Sequence, residues 1–96
     1  MRTVISFDIS SGRMRYRVVK ALLDQATRVQ KSVFEAPTLE TAAFLRLRSR
    51  LEGLIDRDVD TLRYYRLCAA CVGRIEHCGA GQGLLDSPPP FRIIEP

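Results

Sequence analysis

The sequence predicts an α+β fold in which one antiparallel sheet is covered on one side by two helices. Three observations predict it. Runs of β-branched and aromatic residues stand at "TVISFDI" and "TLRYYRL", the composition of strands. Between them, apolar residues recur every three or four positions in two stretches, the period of a helix packed along one side. The chain has only 96 residues, a length that holds one modest core.

Residues 2–9 read as the first strand, stopped by Ser10, Ser11 and Gly12. Either serine suits a helix N-cap. From Arg13 to Gln25, Met14, Val18, Ala21 and Leu22 fall at helical spacing. "RVQKSVFE", residues 28–35, reads as one continuous second strand. Alternation along it turns Val29 and Val33 to the helices and leaves Arg28, Gln30, Ser32 and Phe34 on the other face. Pro37 and Thr38 punctuate, with Thr38 as N-cap of a second helix through Leu39, Ala43, Leu47, Leu51 and Leu54 to Ile55. "DRDVD" is an acidic turn, "TLRYYRL" a third strand, "CAACVGR" a helical turn and "IEHCG" a short fourth strand. Residues 80–90 read as a loop, because the consecutive prolines at its end cannot join a ladder. "FRIIE" then reads as an edge strand.

The split βαβ rule assigns these elements to a ferredoxin-like βαββαβ sandwich, residues 1–78, with an extra C-terminal edge strand. Residues 79–96 form a Gly/Pro-rich connector and strand, in the same domain or at a dimer interface. In the first strand, Ile5, Phe7 and Ile9 separate from Val4, Ser6 and Asp8, so Asp8 is expected on the open face with Gln30 and Ser32. An uncovered sheet face tends to pair with a second copy, so a homodimer through this face is expected.

The formal net charge is +4 and the pI about 9.3. Thirteen of the fifteen basic residues are arginine, the side chain that grips phosphate with two parallel donors. They fall in groups: Arg13, Arg15 and Arg17; Arg46, Arg48 and Arg50; Arg63 and Arg66. The grouping points to a polyanionic partner. No run approaches the roughly 18 apolar residues of a membrane span, and the N-terminus lacks a signal-peptide core, so a cytoplasmic protein without a membrane partner is expected. No glycine-rich phosphate loop is present. His77 is the only histidine, and no Ser-His-Asp or Cys-His nucleophile arrangement can be argued around it. Cys68, Cys71, His77 and Cys78 are four potential zinc ligands. The Ala and Val residues around them favour thiols packed as small hydrophobes over zinc. An odd cysteine count argues against a disulfide framework.

"SFDIS" closing the first strand, arginines seven and nine residues after Asp8, "RVQKSVFE" and "DTLRYYRL" together resemble the Cas-two family of CRISPR adaptation proteins, over residues 2–78. The resemblance implies a homodimer that binds a divalent cation such as Mg2+, cleaves nucleic acid as an endoribonuclease or endonuclease, and bridges integrase subunits during spacer acquisition. The nucleic acid would be duplex DNA or single-stranded RNA. It implies Asp8 as the catalytic and metal-binding residue. Ser10, Arg15, Arg17, Arg28, Ser32 and Phe34 match positions that bind nucleic acid or support the site. A single carboxylate is a poor magnesium site, but two Asp8 copies across a dimer axis, completed by water and phosphate oxygens, would make one.

Each of these residues also has a structural reading. Asp8 can cap the following helix, Arg15 and Arg17 can be a solvated helix face, Phe34 can be dimer core, and Ser32 can satisfy backbone groups. The alternative function is a non-catalytic duplex-DNA scaffold that bridges integrase dimers. A metabolite-binding regulator of the same fold would leave the arginine excess without a role.

Overall fold

The computed structural model describes residues 1–76 and 78. The elements are β1 (Arg2–Asp8), α1 (Gly12–Leu23), β2 (Thr27–Gln30), β3 (Val33–Ala36), α2 (Thr41–Glu52), β4 (Thr61–Leu67) and a short α3 (Ala69–Val72). The sheet order is β2-β3-β1-β4, and every neighbouring pair is antiparallel. This is the expected βαββαβ sandwich. Its fourth strand, however, comes from a different place.

"RVQKSVFE" is not one strand. It folds back at Lys31 and Ser32, so that Arg28 stands opposite Phe34. Two things close the turn. The Arg28 guanidinium donates to the Lys31 carbonyl through Nε at 3.1 Å and Nη2 at 2.5 Å. The Ser32 carbonyl accepts from the Phe7 N–H at 3.1 Å. The register slips between Arg28 and Gln30, which inserts one unpaired residue into β2. The hairpin reverses the expected faces. Phe34 stands opposite Ile5, and Val33 stands opposite Ser6, and residues directly opposite share a face. Phe34 therefore points to the helices and is fully buried, instead of lining the bare face, and Val33 takes the open side. The expected strand at residues 75–79 is not formed at Ile75 and Glu76. Its remainder and the "FRIIE" strand lie outside the described residues, apart from Cys78, which is in no strand.

The helices start and stop for local reasons. Ser11 is the serine that caps α1, its Oγ accepting from the Met14 N–H at 3.3 Å. The helix ends at Leu23, with Asp24 as C-cap, and the N–H groups of Gln25 and Ala26 both turn back to the Leu22 carbonyl. α2 begins at Thr41, later than Thr38 and Leu39 suggest. Leu39 is held out of it: its N–H donates to the Met1 carbonyl at 3.2 Å, and its own carbonyl accepts from Arg66 Nη2. That arginine also stacks 4.4 Å from the Phe44 ring centre.

One core lies between the sheet and the two long helices. It joins Ile5, Phe7 and Ile9 of the β1 segment, Phe34 and Ala36 of β3, Val18, Ala21 and Leu22 of α1, and Leu39, Phe44, Leu47 and Leu51 in and before α2. Phe7 and Phe34 stack at 6.2 Å. Full burial of one such side chain contributes about 2–3 kcal/mol. The opposite sheet face carries Val4, Ser6 and Asp8 of β1, Val33 of β3, and Thr61, Arg63 and Tyr65 of β4, by their pairing register. Among the described residues no helix is long and apolar enough to cross a membrane.

Candidate nucleic-acid site

Asp8 is the last residue of β1, opposite Thr61, and is exposed. It does not cap α1, since Ser11 has that role. The segment that follows it is braced twice. Ile9 is buried, and its carbonyl accepts from Arg15 Nη1 at 2.7 Å. Ser10 donates to Asp60 Oδ1 with both its N–H, at 3.0 Å, and its hydroxyl, at 3.2 Å. The other Asp60 oxygen accepts from the Asp56 N–H at 2.9 Å. Asp60 thus ties the β1–α1 loop to the turn before β4. The Ser10 N–H first, then the Asp56 N–H, hold its carboxyl below the usual range for aspartate.

A groove of about 560 Å³ opens beside this loop, between α1 and the β2–β3 turn. Gly12, Arg15, Tyr16, Val19, Arg28, Lys31 and Ser32 line it. The Arg28 guanidinium lies 5.6 Å from the ring centre of Phe34, which forms the shelf beneath it. The groove therefore holds three cationic side chains and one exposed aromatic, the combination that suits a phosphate-bearing ligand with a ring to stack.

The chain matches the family model described as CRISPR associated protein Cas2 over residues 1–75. It belongs to the Cas2 family. A relative named CRISPR-associated endoribonuclease Cas2 1, from Chloroflexus aurantiacus, is 44% identical over 88 residues, 91% of this chain and 87% of that protein. A CRISPR-associated endonuclease Cas2 from Halalkalibacterium halodurans is 36% identical over 85 residues, 83% of this chain and 88% of its own length. The crystal structure of Streptococcus pyogenes Cas2 at pH 6.5 superposes with a TM-score of 0.70 at 34% identity, covering 82% of this chain and all of that one.

In this Cas2-family chain the residues expected to form one site fall into four places. Arg15, Arg28 and Ser32 meet in the groove. Asp8 stands outside the groove lining, at the sheet end, and Gln30 stays on its side through Val33 and Ser6. Ser32 does not share that face. Ser10 and Phe34 are taken up by the fold, one by Asp60 and the other by the core. Arg17 is exposed, but two residues from Arg15 it turns to another side of α1. Asp60 is the residue that sequence reasoning missed. Its signal is faint: an acid at the last position before a strand, four residues after another acid in "DRDVD".

Proposed function

We propose that this Cas2-family chain works in CRISPR adaptation as a homodimer that binds nucleic acid and supports spacer acquisition with the integrase. In this reading the chain also cleaves phosphodiester bonds with magnesium at a pair of Asp8 carboxylates. The observation that carries it is an exposed aspartate closing β1 on the sheet face away from α1 and α2, in a chain whose relatives are named as endoribonucleases and an endonuclease.

Among the described residues, no group of three or more His, Cys, Asp or Glu is placed to hold a metal. One protomer alone does not make a magnesium site. An exposed carboxylate on a face that pairs with its own copy fits half of one, because a hard cation takes oxygen ligands and keeps several waters. Two copies of Asp8 would hold the ion. When bound, it would lower the pKa of a coordinated water and neutralise charge on the phosphate. The chain's own residues do the rest. Arg15, Arg28 and Lys31 draw phosphates to the groove, Tyr16 offers a ring to an unstacked base, and the Ser10–Asp60 tie fixes the loop that leaves Asp8.

A second reading, a duplex-DNA scaffold without catalysis, is favoured by the exposure of Arg13, Arg15, Arg17, Arg46, Arg48 and Arg50 along the two long helices. Light scattering tests the part common to both, and a monomer at micromolar concentration would overturn it. Magnesium-dependent cleavage and spacer integration, measured on wild type and Asp8→Asn, separate them. Lost cleavage with intact integration leaves the scaffold as the working role. Equal cleavage rates remove Asp8 from the chemistry.

A further inference from the structure

Cys68 and Cys71 are not the packed small hydrophobes that their Ala and Val neighbours suggest. Both thiols are exposed. Cys68 follows β4 directly and is the N-cap of α3, in extended backbone with φ −73° and ψ 169°. Cys71 is the third residue of that helix, and the Cys68 carbonyl accepts from the Val72 N–H at 3.0 Å. One helical turn between an N-cap and the third residue brings two Cα atoms within the roughly 4.4–6.8 Å that a disulfide spans. Both exposed side chains therefore leave the same turn of chain, one at the N-cap and one at the third position of α3.

We propose that Cys68 and Cys71 are a redox pair that closes to an intramolecular disulfide by exchange with low-molecular-weight disulfides of the glutathione type. The Cys68 thiolate attacks one sulfur of oxidised glutathione, forms a mixed disulfide and releases one glutathione thiolate. Cys71, losing its proton, then attacks the Cys68 sulfur and releases the second glutathione. Two protein thiols are oxidised and one glutathione disulfide is reduced, and the two thiol protons end on the two glutathione molecules. The surroundings suit this order. The Cys71 N–H first, then the Cys71 thiol and the Ala70 N–H, hold the Cys68 thiol below its usual range, and the neighbouring Cys68 thiol pushes Cys71 up. An attacking thiol with more thiolate character beside a resolving thiol held protonated is the arrangement such exchange requires. The pair sits where the chain leaves edge strand β4, so closure would lock the direction of that exit.

The experiment uses the full-length protein in glutathione buffers of rising oxidised fraction, quenched with an alkylating reagent and digested with trypsin. Cleavage after Arg66 and Arg74 gives the peptide "LCAACVGR", which contains Cys68 and Cys71 but not Cys78. The expected result is that this peptide becomes lighter by two hydrogen atoms, takes no alkyl group, and reverts with dithiothreitol, while Cys78 is alkylated throughout. In Cys71→Ser the resolving thiol is gone, and a glutathione adduct should accumulate on Cys68 several-fold faster than on Cys78. Full alkylation of both cysteines in oxidised buffer would overturn the proposal. So would a bridge that includes Cys78, or equal adduct rates on Cys68 and Cys78 in the variant.

Discussion

Asp8 and Asp60 lie at neighbouring strand ends, since Asp8 pairs with Thr61 and Asp60 precedes it, yet their surroundings are opposite. Asp8 is exposed, whereas Asp60 is 7% exposed and accepts three hydrogen bonds from Ser10 and Asp56. The donors decide which acid belongs to the fold. The loop after β1 and the turn before β4 both aim backbone N–H groups at Asp60, and a carboxylate so satisfied is held ionised and in place. Asp8, one strand over, is exposed at the end of β1. It is therefore the acid available to a cation, and Asp60 the one that steadies the loop leaving it.

The largest expected effect tests the solvent side of this contrast. Asp8→Asn should leave the denaturation midpoint unchanged, as exposed substitutions usually do. Magnesium-dependent cleavage should fall roughly a hundredfold or more, because a metal ion supplies several kcal/mol of transition-state stabilisation. A variant that unfolds at lower temperature would assign Asp8 a structural role and erase the contrast.

Phe34→Ala sharpens it from the inside. The side chain is fully buried against Phe7 and Ile5, so truncation should cost about 3–5 kcal/mol of protomer stability. Urea unfolding at several protein concentrations checks this. A loss confined to dimer dissociation would instead return Phe34 to the open face.

Asp60→Ala should lower the thermal midpoint more than Asp8→Asn, and should weaken cleavage less. It should also flatten the acid limb of the stability curve. The folded pKa of Asp60 is depressed, so its contribution is fully present above the unfolded value of about 3.9 and is lost as pH falls through the folded value. Wild type and variant should therefore converge in stability at low pH and separate toward neutrality. Parallel curves would show that Asp60 is not the tie.

Much of the fold was legible because burial follows period. Ile5, Phe7 and Ile9 alternate, and Val18, Ala21 and Leu22 repeat at helical spacing, and all six are core. The hairpin at Lys31–Ser32 was not legible, because neither residue is the Gly, Asn or Asp that marks a two-residue turn. The turn is closed instead by Arg28 reaching back to the Lys31 carbonyl, a contact that no local propensity records. Missing it moved Phe34 to the wrong face by one pleat. Of the site, Asp8 was legible as an acid ending an apolar strand. The Asp60 tie joins positions fifty residues apart in sequence, beyond the reach of any local pattern. The exposure of Cys68 and Cys71 was hidden for a related reason: Ala and Val neighbours read as core, but a four-residue helix at a sheet edge has too little surface above it to bury them.

The smallest effect distinguishes arginines used by the fold from those left to a ligand. Arg15 donates to the Ile9 carbonyl, whereas Arg17 is exposed on another side of the same helix. If both also meet phosphate, Arg17→Ala should lower the salt dependence of duplex binding by about one in the log–log slope, since each neutralised phosphate contributes roughly 0.9, with no change in thermal midpoint. Arg15→Ala should lower the slope similarly but should also reduce the midpoint, because the buried Ile9 carbonyl loses its donor, a cost of about 1–3 kcal/mol. Anisotropy titrations across a potassium chloride series, paired with melting curves on the same samples, check both. Binding should remain independent of sequence, because the groove offers cations and a ring but no element that enters a base-pair groove. A slope unchanged in both variants would move the nucleic acid off α1 and toward Arg46, Arg48 and Arg50 of α2. Of these, Arg48 and Arg50 already face acids, at 3.2 Å from Glu52 and 3.1 Å from Asp24, and would have to exchange those partners for phosphate.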